Sequence, residues 1–116
     1  MKSFLEFKNV SITKNGDYYQ VVFDDALDTD DEPYFLIQRQ FECPDGGVCN
    51  FESHRENLND HAKPKSVSLS MNTLRLSYGE EPHRDVEIKY GLRGTDFQEL
   101  ASTLKEMIPE LNIGAP

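Results

Sequence analysis

Six carboxylates crowd between residues 24 and 32: Asp24, Asp25, Asp28, Asp30, Asp31 and Glu32. The basic side chains on either side are as distant as Lys14 and Arg39. Oxygen-rich loops of this kind can wrap Ca²⁺, which takes about six to eight oxygen ligands. Counting from Asp28, the alternate positions Asp30 and Glu32 fit such a loop, but Pro33 stands where its turning glycine belongs. The spacing therefore argues against a specific metal site. Two readings remain: a solvated loop whose charges repel one another, or a patch that attracts a basic partner.

The other side chains capable of chemistry are His54, His61, His83, Cys43 and Cys49. They show neither C-x-x-C nor H-x-x-x-H spacing, so they read as loop histidines and thiols and not as a zinc site. Cys43 and Cys49 flank Pro44-Asp45-Gly46-Gly47 and could approach across a turn, although two cysteines fall well short of a disulfide scaffold. A Cys49–Glu52–His54 nucleophilic set fails on periodicity, because on one strand Cys49 and His54 point to opposite faces. The carboxylates of the acidic run lie in a polar stretch where nothing tunes them for hydrolysis. Gly91-Leu92-Arg93-Gly94 is too short for a phosphate loop and has no matching lysine. The chain thus reads as a non-enzyme with no cofactor and no metal.

The elements that position these residues are short strands followed by one helix. Phe4 to Thr13 alternates loosely and reads as a first strand, Asn15-Gly16 as a hairpin turn, and Tyr18–Phe23 as the returning strand. Because Tyr18 and Tyr19 are adjacent, one of them faces outward; Tyr19, beside the acidic run, is the candidate interface anchor. Pro33 closes the acidic loop. Tyr34-Phe35-Leu36-Ile37 predicts a central strand buried on both faces. Val48–Glu52 reads as a strand, and Ser53 to Pro64 as a long polar loop with a helical turn near Glu56. Val67 and Leu69, then Leu74 and Leu76, alternate about a Met71-Asn72 turn with Asn72 suited to a left-handed conformation. Val86, Ile88 and Tyr90 mark a half-buried strand after a turn at Gly79–Pro82.

The period then changes. Phe97, Leu100, Ala101, Leu104, Met107 and Ile108 form one helical stripe. Thr95 and Gln98 have capping-box spacing, and Pro109 ends the helix. The expected fold is α+β: a mainly antiparallel sheet of six or seven strands with one C-terminal helix packed on a face. The expected organisation is one domain over 1–116, ordered from about residue 3 to 109, with 110–116 as a frayed tail.

Charge narrows the partners. Twelve Lys and Arg stand against 21 Asp and Glu, a net charge of −9. That balance disfavours nucleic acid and anionic membranes and favours basic proteins. No apolar run nears the roughly 20 residues of a membrane span, and Glu6 and Lys8 interrupt any signal-peptide core, so the chain reads as cytoplasmic.

Several of these motifs run in a familiar order. Phe23-Asp24-Asp25 ends a strand, and Tyr34-Phe35-Leu36-Ile37-Gln38-Arg39 forms the next. Phe51-Glu52, Leu69-Ser70 through Leu74-Arg75-Leu76, and Phe97-Gln98-Glu99-Leu100 through Leu104 and Ile108 follow. This order, over roughly residues 20 to 108 of the chain, resembles the tenth numbered family of bacterial polymorphic-toxin immunity proteins. Gln38-Arg39 is the sharpest match. The chain differs in having Asp24 where that pattern has a small residue and in its polar stretch at 53–64. The resemblance implies a cytoplasmic antidote that binds a cognate toxin domain, often a basic one, and blocks it by direct contact. The partner-binding candidates are then Asp24, Asp25, Asp28, Asp30, Asp31, Glu32 and Tyr19, with Gln38 and Arg39 structural first. An acidic secretion chaperone and a small-molecule-binding domain are the competing readings.

Overall fold

The inward positions change parity at Lys8: Leu5 and Phe7 are buried before it, Val10 after it. A strand alternates strictly, so one strand cannot bury both sets on one face. The computed structural model, which describes residues 2–25, 32–41, 47–80 and 83–114, resolves the conflict by breaking the expected first strand in two. β1 (Lys2–Phe7) and β2 (Asn9–Asn15) belong to different sheets. Lys8 turns the corner, its backbone N–H donating to Asp25 Oδ1 at 2.9 Å.

The remaining strands are β3 (Tyr18–Asp24), β4 (Tyr34–Gln40), β5 (Cys49–Ser53), β6 (Asp60–Ala62), β7 (Pro64–Leu69), β8 (Thr73–Tyr78) and β9 (Arg84–Tyr90). The helix α1 (Phe97–Met107) and β10 (Asn112–Ile113) follow. The architecture is α+β, but the single sheet of six or seven strands is corrected to two sheets of five. One has the order β1-β9-β8-β7-β10 and the other β2-β3-β4-β5-β6. Pairing is antiparallel except at β1–β9 and β10–β7, which are parallel.

The sheets bury their alternate residues against each other, which is why two form instead of one. Phe51 of the second sheet stacks on Tyr78 of the first, with ring centroids 3.9 Å apart and planes 16° from parallel. Phe23 meets Tyr90 at 5.4 Å. The Tyr78 hydroxyl, fully buried, donates to the Leu58 carbonyl in a 3-10 turn at Glu56–Leu58. Tyr90 donates to the Ser70 carbonyl at 2.7 Å, and burial pushes its hydroxyl pKa up to about 12. Leu100, Ala101, Leu104, Met107 and Ile108 of the helical stripe join the same core. Phe97 packs at its rim, and Thr103 is buried as well, which the apolar pattern missed.

Local expectations shift where tertiary contacts compete. The β2–β3 turn is Gly16-Asp17, one residue later than expected, because Asn15 pairs with Tyr18 and Gly16 takes φ +62°. The Met71-Asn72 turn forms where expected, yet Asn72 does not take a left-handed φ; among the described non-glycine residues only Arg93 does. β4 is the central strand of its sheet, but it buries only Phe35 and Ile37; Tyr34 and Leu36 are half-exposed. The polar stretch 53–64 is not one loop, since Asp60–Ala62 adds to β5 as an edge strand. The capping box does not form. Asp96 is the N-cap residue and makes no side-chain cap, and the Thr95 hydroxyl instead donates to the Val10 carbonyl at 2.8 Å. Nor does the chain fray from residue 110. Leu111 is buried, Lys105 Nζ donates to its carbonyl, and Gly114 N donates to Leu69 O. Among the described residues no helix is long and apolar enough to cross a membrane.

Gly91 sits where β9 passes the Lys8 corner. A Cβ there would lie 2.7 Å from the Lys8 carbonyl oxygen, which is backbone and cannot swing away. Gly91→Ala is expected to cost about 1–3 kcal/mol in urea unfolding, in line with other overpacked sites. An unchanged midpoint would show that the corner relaxes freely.

Candidate protein-binding face

The outward surface of the second sheet follows from the registers. One row runs Asn9, Asp24, Tyr34; the next Ser11, Val22, Leu36, Glu52. The third runs Thr13, Gln20, Gln38, Asn50, His61, and the last Asn15, Tyr18, Gln40. This face carries amides, hydroxyls and a central Val22–Leu36 pair, with carboxylates at Asp24 and Glu52 and no lysine or arginine among these described residues. The bases of these strands have the opposite parity. Arg39 reaches under the sheet to donate from Nη1 to the Met107 carbonyl at 2.5 Å, at the negative end of the α1 dipole. Its guanidinium also lies over Phe41, 4.4 Å from the ring centroid. Lys14 lies 3.9 Å from Glu106. The helix thus draws the positive charges of β2 and β4 inward and leaves the outer face neutral to acidic.

Tyr34 spans that face, its hydroxyl donating to Glu52 Oε2 at 2.8 Å. Partial burial and then the Glu52 carboxylate raise its pKa. Tyr18 is the outward member of the tyrosine pair, with its hydroxyl on Gln20 Oε1. Tyr19, the expected anchor, shares parity with Val21 and Phe23. It packs edge-on to Phe41 at 5.0 Å, and Glu106 beside its hydroxyl raises its pKa. The sequence could not rank the two tyrosines, because the choice depends on the strand's register and not on residue type.

The acidic connection leaves from one end of this face. Asp24 and Asp25 both have structural work: Asp24 Oδ1 accepts from Asn9 Nδ2 at 2.9 Å, and Asp25 Oδ1 accepts from the Lys8 backbone. Glu32 re-enters just before β4. Asp28, Asp30 and Asp31 lie outside the described residues, as does Cys43; Cys49 is fully buried in the core. Of the sharp Gln38-Arg39 pair, Gln38 faces outward and Arg39 fastens the helix.

A second concave region escaped the sequence reading. A solvent-open groove of about 890 Å³ lies between the 3-10 turn, β6 and the β8–β9 end. His61, Lys63, Lys65, His83 and Arg84 line it together with the carboxylates of Asp60, Glu80 and Asp85. His83 Nδ1 lies 2.8 Å from the Gly79 carbonyl, so that nitrogen carries the hydrogen and Nε2 is left to accept from Lys65 Nζ at 2.9 Å. Arg84 Nη1 donates to Asp60 Oδ2 at 2.9 Å across Gly79. Gly79 has φ +85°, and a Cβ there would sit 2.7 Å from that same oxygen. The bases converge only because β6 and β7 fold back beside β9; they are separated by about twenty residues in sequence, with no shared motif. His54 stands apart, its Nδ1 3.1 Å from the Tyr34 backbone. Among the described residues no group of three or more His, Cys, Asp or Glu side chains is arranged to hold a metal ion.

Comparison with protein-family models, with curated proteins and with solved structures finds no match for this chain.

Proposed function

We propose that this chain is a cytoplasmic protein-binding antidote that neutralises a basic partner, a toxin domain, by surface contact. The observation that supports the reading is the lysine- and arginine-free outer face of β2–β5, continuous with the acidic connection between β3 and β4. Half-exposed, with an apolar Val22–Leu36 centre and carboxylates at Asp24 and Glu52, such a surface suits a protein and not an enclosed small molecule. Excess negative charge speeds encounter with a positive partner and is screened by salt.

The test is affinity capture of the tagged protein from its host lysate at low and high salt, with bound proteins identified by mass spectrometry. One stoichiometric basic protein, weakened by salt, is the expected result. Neutralising Asp28, Asp30 and Asp31 together to asparagine is then expected to reduce affinity by at least about tenfold, chiefly through slower association. Full affinity in that variant would remove the acidic connection from the interface. Asp25 is unsuited to the same series, because its loss also releases the Lys8 corner.

The groove, where Lys63, Lys65 and Arg84 stand beside Asp60, Glu80 and Asp85, favours a second reading, a small polar ligand bound there. Thermal shift with phosphate, citrate and nucleotides separates the two: stabilisation that Lys65→Ala abolishes would move this reading forward.

A further inference from the structure

The two sheets present four edges, and three of them are guarded. β6 is only three residues long. On the β7 side, β10 covers Ser68 and Leu69, and beyond it come Pro64, Lys65 and a register shift between Pro64 and Ser66. Proline, lysine, irregular register and short strands all discourage a further strand from adding. β2 has the Thr95 hydroxyl on its Val10 carbonyl and Lys14 leaning to Glu106. β1 carries one of these devices, Lys2 at its first position, but among the described residues it has no proline, irregular register or covering strand. It is six residues of extended chain without proline, glycine or bulge. It also carries Phe4, the most exposed large apolar side chain among the described residues, at 62%.

The backbone of β1 is oriented for addition. The Phe7 carbonyl accepts from Gly91 N at 3.1 Å and so points toward β9. Backbone directions alternate along a strand, so Ser3, Leu5 and Phe7 bond into the sheet. Lys2, Phe4 and Glu6 then direct their N–H and C=O groups to the open edge. The same three residues carry the outward side chains, and all three are exposed.

We propose that β1 pairs with β1 of a second copy of this chain, antiparallel about a two-fold axis at Phe4, making one continuous sheet across both copies. Phe4 then faces Phe4, and each Lys2 faces Glu6 of the second copy. This is the only antiparallel register of Lys2–Phe7 on this edge that sets opposite charges against one another; shifting by two residues in either direction leaves both charges unmatched. Lys2 already lies 3.3 Å from Glu87, which holds its ammonium on the outer face where the second copy's Glu6 would arrive. This proposal is independent of the antidote reading, which concerns the other sheet.

The test is sedimentation velocity on protein with no N-terminal tag, over concentrations up to about 0.5 mM, because an edge pairing is a small interface. A reversible dimer is expected. Lys2→Glu and Glu6→Lys each set like charges opposite one another twice and are expected to weaken dimerisation about tenfold or more. An equimolar mixture of these two variants is expected to regain the dimer, since both carboxylates of the first variant's strand then face the ammonium groups of the second. Phe4→Pro removes the exposed Phe4 ring and an edge-facing N–H that β9 does not use, so it is expected to keep the fold and lose the dimer. A monomer at all concentrations overturns the proposal. So does a dimer indifferent to the single charge changes, or one that the mixture fails to restore.

Discussion

Tyr78→Ala is expected to lower stability by about 3–5 kcal/mol in urea or thermal unfolding, as large aromatic truncations in well-packed cores do. Three things are lost together. The ring is fully buried and stacked on Phe51 at 3.9 Å, joining the two sheets. The hydroxyl holds the Leu58 carbonyl of the 3-10 turn. The turn in turn positions β6 and the groove beside it. Tyr78→Phe separates these contributions, keeping the ring and removing the hydroxyl. It is expected to cost about 1–2 kcal/mol, because the Leu58 carbonyl then stays buried without its donor. If Tyr78→Phe were as damaging as Tyr78→Ala, the stacked ring would not be what joins the sheets.

The same buried hydroxyls set an alkaline limit. Burial raises the pKa of both Tyr78 and Tyr90 above the ordinary value of 10.0, that of Tyr90 to about 12. A raised folded-state pKa contributes stability that is complete below pH ~10 and is lost as pH rises toward ~12, because the unfolded chain ionises first. Unfolding midpoints are therefore expected to fall across that window, and Tyr90→Phe to flatten the fall.

Leu36→Lys is expected to reduce affinity for a basic partner about 100-fold, close to 2.7 kcal/mol. It sets a positive charge at the centre of a sheet face free of lysine and arginine, against a partner of the same sign. Because Leu36 is half-exposed, the lysine can extend into solvent in the free protein, and stability should change by less than about 1 kcal/mol. Ser68→Lys, on the outer face of the other sheet, is the control and should bind normally. Isothermal titration or surface plasmon resonance against the captured partner decides between them. If Leu36→Lys binds like the parent chain, the β2–β5 face is not the contact surface and the groove becomes the leading candidate.

The contrast between Leu36 and Tyr19 shows how far the candidate site was legible. The apolar run Tyr34-Phe35-Leu36-Ile37 identified Leu36 as part of a strand, and Gln38-Arg39 stood out beside it. Yet its four apolar residues in a row suggested burial on both faces, whereas the first sheet and α1 cover only the face of Phe35 and Ile37 and leave Leu36 half-exposed. Tyr19 was chosen as an outward anchor from its neighbourhood in sequence, whereas the register turned it inward and put Tyr18 outside. The groove was invisible, since His61, Lys63, Lys65, His83 and Arg84 come from three strands and two connections.

By itself the sequence determined the local menu: short alternating strands, turns at glycine and asparagine, one amphipathic helix with its stripe, and a strongly acidic surface. These follow from side-chain periodicity, turn chemistry and charge, all of which act over a few residues. The parity change between Phe7 and Val10 was present in the sequence but read as one loosely alternating strand, and only the structure showed that it marks the corner at Lys8. The tertiary structure alone decided that there are two sheets, that Thr95 serves β2 instead of capping α1, that Leu111–Gly114 docks on β7, and that Arg39 and Lys14 turn inward to the helix. Each of these depends on which distant backbone group reaches a donor first, and pairings across dozens of residues leave no periodic trace in the chain.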